Sequence, residues 1–256
     1  MSLKRRNHGS GHSYTLDGRR VDGVTTLISK GVAKPGLMYW SARSVAEYVA
    51  DADPSDLATL RGLGRDAMVA ALKGVPWSQR DAAAVRGTAV HGFAEQLVAG
   101  SEVEVPDELA GHVEACAKFL DEWRIAPVVV EGLIGSRTHR YAGTFDLVAD
   151  LPDGRRALLD YKTAASGVYG ETALQLAAYR FADFYIGDDK REHLMSELNI
   201  NVTYAVWIRA DGYDVLPVDT GKDAATSPAF AMFRAAAYVA RASEAMPDWI
   251  GEAEAA

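Results

Sequence analysis

The stretch from Gly143 to Thr163 constrains this chain more than any other. It reads Gly-Thr-Phe-Asp-Leu-Val-Ala-Asp, then a Pro-Asp-Gly turn, then Ala-Leu-Leu-Asp-Tyr-Lys-Thr. Two apolar runs joined by a tight turn predict a β-hairpin. Asp146 then lies on the first strand, and Asp160, Tyr161 and Lys162 on the second. Side chains alternate along a strand, so Asp160 and Lys162 project from one face. Charged groups converging among apolar neighbours are costly unless something binds there. A hard divalent cation with a phosphodiester is the occupant that suits two carboxylates and an ammonium.

The flanks set the fold class. His12 to Asp22 predicts a small hairpin with Asp17-Gly18 as its turn, and Thr25 or Thr26 can cap a helix directly after it. The chain breaks around Lys34-Pro35-Gly36. Leu37 to Ala50 predicts a helix carrying Trp40, Ser55 to Lys73 one or two short helices, and Gly74-Val75-Pro76 an interruption. Helical composition resumes from Ser78 to about Ala99, with Gly87 as a further splitting point. Pro106 opens a helix that ends near Ile125. Pro127 to Ser136 is β-rich, and Glu171 to Ile186 is helical. Asn199 to Ile208 and Tyr213 to Val218 form a second hairpin, and Pro228 to Glu244 closes the chain as a helix. That order predicts an α/β sandwich, a central mixed β-sheet flanked by helices. One domain is expected over 1–256: an N-terminal hairpin and helical extension at 1–77, a core at 78–220, and a C-terminal helix and tail at 221–256.

Two helical pairs accompany the hairpin. In Arg86-Gly87-Thr88-Ala89-Val90-His91-Gly92-Phe93-Ala94-Glu95, His91 and Glu95 share a helix face, and Gln175 and Tyr179 have the same spacing. Either pair alone is as readily a solvated face or a satisfied buried bond. The ordered set is more distinctive: Gly-x-x-x-His-x-x-x-Glu, Gly-x-x-Asp, Asp-x-Lys after a short hairpin, then Gln-x-x-x-Tyr on the next helix. With these motifs, which span about residues 86 to 180, the chain resembles the PD-(D/E)XK nuclease superfamily. The resemblance is to its RecB-like branch, which includes phage exonucleases and CRISPR-associated end-processing nucleases. Val24-Thr25-Thr26-Leu27 and Lys34-Pro35 ahead of Trp40 are similar to the opening of phage-encoded members.

The resemblance implies a restriction-endonuclease-like core and a metal-dependent deoxyribonuclease, foremost an exonuclease of phage-type recombination or replication. It implies His91, Asp146 and Asp160 as metal ligands together with the main-chain carbonyl of Tyr161. Lys162 would be the catalytic lysine, and Gln175 and Tyr179 would lie near the DNA strand. Glu95 matches a common acidic position. A strand-annealing recombination protein is a partner that such a function implies.

The residues carry a physical account of their own. Carboxylates suit Mg²⁺, and the His91 imidazole is accepted more readily by Mn²⁺. Lys162 can orient or deprotonate water, or neutralise charge developing on a phosphate. Candidate DNA contacts are Arg86, Arg140 (with Arg137 and His139 in the loop leading to Asp146), and Trp40 with Arg43 on one helix. A solvated loop and a core tryptophan are the alternatives.

Composition narrows the rest. Cys116 is the only cysteine, which excludes an internal disulfide framework, a Cys-rich zinc site and the four-cysteine iron–sulfur cluster of some relatives. No Gly-x-x-x-x-Gly-Lys-Ser/Thr is present, so the chain carries no ATP motor. Gly62 to Ala67 matches a loose dinucleotide fingerprint but comes after a helix-like segment where a strand is required. No apolar run approaches the roughly 18 residues of a membrane helix, and the basic start has no apolar segment behind it. A cytoplasmic site of action is therefore expected. Residues 1 to 43 hold eight Lys/Arg against Asp17 and Asp22, a local +6 within a chain of net −8. Such a segment is either a solvated tail at Lys4 to Arg6 or a guide for a polyanion. Two rivals stay open: a structure-selective endonuclease on the same site, and a non-catalytic DNA-end binder or adaptor that keeps the fold.

Overall fold

The computed structural model describes residues 3–8 and 11–251. These fall into two compact units, one within 1–32 and 90–256 and the other at 33–89. An antiparallel ribbon opens the first: β1 (Leu3–His8), β2 (Gly11–Leu16) and β3 (Arg19–Gly23). Asp17 and Gly18 turn β2 into β3 with φ of 49° and 78°, the paired positive values that match a two-residue turn to strand twist. Helices come next: α1 (Val24–Gly31), α2 (Pro35–Asp51), α3 (Pro54–Gly62), α4 (Arg65–Val98) and α5 (Asp107–Glu122). The chain continues with β4 (Ala126–Ser136), β5 (Tyr141–Asp150), β6 (Arg156–Lys162), α6 (Glu171–Arg180), β7 (Phe184–Ile186) and β8 (Glu192–Leu194). It ends with β9 (Val202–Arg209), β10 (Gly212–Pro217) and α7 (Pro228–Ala245).

The expected α/β class with a mixed sheet is what the chain forms, as one 10-stranded sheet among the described residues. β5 organises it. One edge of β5 runs beside β4 from Ala126↔Asp150 to Ser136↔Tyr141. The other edge changes partner: β3 pairs in parallel at Asp22↔Tyr141 and Gly23↔Ala142, and β6 pairs antiparallel from Leu147↔Leu159 to Asp150↔Arg156. Residues 143–146 lie between those two partners. β6 then continues along β9 in parallel as far as Lys162↔Trp207. Asp160 and Lys162 therefore sit beyond the end of the β5–β6 ladder, where the sheet opens.

Packing fixes that opening. Val24, Leu27 and Ile28 of α1, Leu176 and Tyr179 of α6, and Phe230 and Phe233 of α7 form one buried cluster with Ile134, Tyr141 and Phe145. The Tyr141 and Phe233 rings meet edge-on at 5.0 Å, a contact that contributes about 0.5–1.5 kcal/mol beyond its area. The Tyr141 hydroxyl donates to the Ala178 carbonyl at 2.7 Å. A Cβ at Gly143 would lie 2.7 Å from the Tyr179 ring, so glycine is what lets α6 approach β5 there. A separate cluster of Leu3, Tyr14, Leu16, Val21, Ala142 and Phe184 seats the ribbon. Phe119 of α5 packs edge-on against Tyr161 and Tyr213. Helix α7 starts where Ser227 caps it, accepting from Phe230 N at 3.0 Å, with Pro228 in the first turn.

Several expectations are corrected. Gly74-Val75-Pro76 does not interrupt the chain, and Gly87 does not split it: α4 is continuous from Arg65 to Val98 with Pro76 inside. An internal proline costs about 3 kcal/mol, which the alanine-rich flanks of a 34-residue helix offset. Ser78 Oγ donates to the Val75 carbonyl at 2.9 Å beside the proline. The helix expected over Glu171 to Ile186 stops at Arg180, because Phe184-Tyr185-Ile186 pairs with β4. Lys4 to Arg6 belong to the edge strand β1. Gly23, and neither threonine, occupies the N-cap of α1. Pro106 caps α5 from just outside it. The 33–89 unit comprises α2, α3 and the first part of α4, and Leu37, Met38, Tyr39, Leu63 and Trp77 are exposed on it. Among the described residues no helix is long and apolar enough to cross a membrane.

Candidate metal centre

Asp146 is the last residue of β5 before its ladder with β6 begins at Leu147. Tyr161 lies past the end of that ladder, so its N–H has no strand partner on β5. The Asp146 carboxylate supplies one instead, accepting from Tyr161 N at 2.6 Å. Helix α4 brings His91 to the same place. Val90 and Ala94 are fully buried on that helix, which turns His91 toward the sheet opening and leaves Glu95 exposed. His91 Nδ1 lies 3.3 Å from Asp146 Oδ1, and Nε2 lies 3.0 Å from the Tyr161 carbonyl oxygen. The imidazole ring also meets the Tyr161 ring edge-on at 5.9 Å.

Glu131 completes this group, and sequence reasoning missed it. It stands on β4 between Val130, which pairs Leu147, and Gly132, which pairs Phe145. It therefore lies across from Asp146. Its φ is 48°, a left-handed value that few non-glycine residues adopt within a strand. A Cβ on Gly132 would meet the Phe145 ring at 2.1 Å, so the next position must be glycine. Ligand atoms of His91, Glu131 and Asp146 all lie within 4.8 Å of one another, the one such group of three among the described residues. Arg5 of β1, also unforeseen, reaches the rim: Nη1 is 3.8 Å from Glu131 and 3.3 Å from Thr144 Oγ1. The only sequence signal for Glu131 is one acid directly after the apolar run Val128-Val129-Val130.

Asp160 does not join that group. It is buried, and its oxygens are taken by the Lys162 ammonium, in direct contact with Oδ2, and by Gln175 Nε2 at 2.7 Å from Oδ1. Lys162 Nζ donates to Gln175 Oε1 at 3.0 Å, and Gln175 Nε2 lies 3.1 Å from the Tyr179 hydroxyl. The Asp-x-Lys and Gln-x-x-x-Tyr motifs are thus one hydrogen-bonded unit, with α6 reading the face of β6 that carries Asp160 and Lys162. Asp160, a ligand that the resemblance implies, is paired with Lys162 and Gln175 beside the His91, Glu131 and Asp146 group.

Protonation depends on this crowding. Burial alone would lower the His91 pKa, but the charge and hydrogen bond of Asp146, with Asp160 behind, raise it to about 9. His91 is therefore an imidazolium at neutral pH, a cation spanning the Asp146 carboxylate and the Tyr161 carbonyl. Burial and the charge of Asp146 push Glu131 up to about 7. Burial likewise pushes Asp146 up, but His91, Lys162 and the Tyr161 N–H outweigh it and hold that carboxyl below its usual range. Burial works against the Lys162 charge, yet Asp160 and Asp146 keep its pKa above the ordinary lysine value. A crowd of acids that needs a protonated histidine to balance it is what a divalent cation would relieve. The nitrogen and oxygen donors fit Mn²⁺ or Mg²⁺.

Of the candidate DNA contacts, Gln175 and Tyr179 belong to the polar unit with Asp160 and Lys162. Arg140 is exposed on the β4–β5 turn with φ 55°. Arg137 beside it is tied to Asp17 at 2.9 Å and Glu192 at 2.9 Å. Trp40, Arg43 and Arg86 belong to the 33–89 unit, where Arg43 pairs with Glu47 at 2.6 Å. No protein-family description and no curated protein matches the chain.

Proposed function

We propose that the chain is a divalent-metal-dependent deoxyribonuclease with a restriction-endonuclease-like core, of the PD-(D/E)XK type that its motifs resemble. One observation carries this reading: His91, Glu131 and Asp146 present ligand atoms within 4.8 Å of one another, next to a lysine held cationic by Asp160. His91, Glu131 and Asp146 would hold the cation, with the Tyr161 carbonyl as a further oxygen. A bound divalent cation supplies Lewis acidity toward a phosphoryl oxygen and acidifies water.

The chain's own residues do the remainder. Lys162 carries positive charge at neutral pH, which favours charge stabilisation on the phosphate over a role as general base. Asp160 and Gln175 fix its ammonium from two sides, and Tyr179 fixes Gln175. Arg5, at the rim, adds a second cation where a phosphodiester would approach. Glu95 is exposed and adds negative field beside Glu131.

The test uses end-labelled linear DNA and closed circular plasmid with Mg²⁺, Mn²⁺ or EDTA. Linear DNA should be degraded only with metal, and Asp146→Ala should abolish the loss. Intact closed circles would make the enzyme an exonuclease, as its motifs suggest; nicked circles would make it an endonuclease on the same site. Degradation that persists in EDTA or in Asp146→Ala would sink the proposal.

A further inference from the structure

At the start of β5, away from the Asp146 end, the β4–β5 turn and α7 enclose an open cleft of about 510 Å³. Its lining is basic and aromatic: His139, Arg140, Phe233, Arg234, Tyr238 and Arg241. Five residue steps along the strand separate Tyr141 from Asp146, a distance of roughly 16 Å. Each cation has a separate situation. Arg241 is structural: it donates to the His139 carbonyl at 3.2 Å and the Arg140 carbonyl at 2.8 Å, and pairs with Asp22 at 3.2 Å. It thereby clamps the turn and holds Arg140 at its left-handed φ of 55°.

Arg140 and Arg234 have no ion pair among the described residues. Arg234 lies over the Phe230 ring at 5.4 Å, and Arg140 is exposed. Asp183, whose charge reaches His139, accepts from Ser136 Oγ at 3.0 Å and from Thr138 N at 2.9 Å. With Arg140, Arg234 and Arg241 set against Asp22 and Asp183, the cleft keeps a net positive charge on a chain whose net charge is −8. Burial, with Arg234 and Arg241, holds the His139 pKa down against the charge of Asp183, which favours a neutral imidazole able to hydrogen-bond. Tyr238 stands 74% exposed at this cleft, an aromatic face open to a stacking partner.

Two guanidinium groups, a neutral imidazole and a bare aromatic ring match a phosphate joined to a base. We infer that this cleft binds a nucleoside phosphate, with Arg140 and Arg234 on the phosphate and Tyr238 against the base. The ligand is either a free mononucleotide or one residue of a nucleic-acid strand. This inference does not rest on the metal centre, because all binding is measured in EDTA.

The experiment titrates the full chain in EDTA with a deoxynucleoside monophosphate, a labelled single-stranded oligonucleotide, inorganic phosphate and citrate. The variants are Arg140→Asn, which tolerates a left-handed φ, Arg234→Ala and Tyr238→Ala. The two arginine changes together should weaken nucleotide or oligonucleotide binding at least tenfold. Tyr238→Ala should weaken both but leave inorganic phosphate unchanged, and the His139 ring resonances should shift on binding. Saturation by mononucleotide supports a free ligand, and binding of oligonucleotide alone supports a strand. Absence of binding, equal binding in the double-arginine variant, or citrate binding as tight as nucleotide would overturn the inference. Failure here leaves DNA cleavage at the metal centre untouched.

Discussion

The two ends of the β5–β6 hairpin carry similar residues in opposite circumstances. At the turn end, Arg156 reaches both oxygens of Asp150 at 2.7 and 3.0 Å, and Arg155 reaches Asp153 at 2.7 Å. Those pairs sit in solvent, each acid has its own base, and hydrogen bonds from the arginines hold both carboxyls below their usual range. At the open end, Glu131, Asp146 and Asp160 face His91 and Lys162, with Arg5 at the rim. Asp146 and Asp160 are largely withdrawn from solvent, Glu131 is part-buried, and burial pushes Glu131 up to about 7. The hairpin strands are the same, and the difference comes from β4 and α4, which bring Glu131 and His91 to the open end. Matched surface pairs need no ligand; a part-buried acid cluster that is balanced only by holding a proton on His91 has a use for one.

Substitutions can break that contrast, beginning with the most damaging. Asp146→Ala should slow DNA cleavage by on the order of 10³-fold, because Lewis-acid catalysis supplies several kcal/mol of barrier lowering. Lys162→Ala should cost roughly 10²- to 10³-fold while Mn²⁺ affinity stays near wild type. A parallel loss of Mn²⁺ binding would show Lys162 to be structural. Glu131→Gln should weaken Mn²⁺ binding about 10- to 100-fold, with cleavage restored at high metal concentration. An unchanged dissociation constant would remove Glu131 from the ligand set.

Proton linkage gives a smaller, graded effect. A metal ligand must present a lone pair, so binding displaces the His91 proton. Apparent Mn²⁺ affinity should rise by about tenfold per pH unit up to about 9 and level off above. The proton on Glu131, lost near 7, steepens the rise below that pH. The raised His91 pKa also has a stability consequence without metal. Its contribution is complete below the ordinary histidine value of about 6.5 and is lost as pH climbs through about 9. Calorimetric titration in buffers of different ionisation enthalpy reads the released protons, and His91→Gln should flatten the profile. The smallest effect belongs to the turn end: Arg156→Ala should change stability by about 1 kcal/mol or less and leave cleavage alone.

Much of the polar unit is legible in the sequence because its spacings are local. Asp160 and Lys162 share a face through strand alternation, and Gln175 and Tyr179 through the helical repeat, so each pair is set by its own segment. Glu131 is not legible, because its relation to Asp146 exists only through the β4–β5 register and a left-handed backbone inside a strand. The motif alone makes Asp160 a ligand; its contacts with Lys162 and Gln175 depend on how closely α6 packs, which the glycine at 143 permits. The helical region departs from expectation at Pro76, where a long alanine-rich context outweighs a local breaker. Phe184 to Ile186 reads as helix because its strand partner lies about fifty residues earlier. In each case, non-local pairing or extended context overrides a local signal.

Anomalous X-ray scattering at the manganese edge, from crystals of the chain grown with Mn²⁺, tests the central claim most directly. A peak bounded by His91, Glu131 and Asp146, and lost in Asp146→Ala, is the expected result. A peak held by Asp160 and remote from Glu131, or no peak at saturating Mn²⁺, would contradict it.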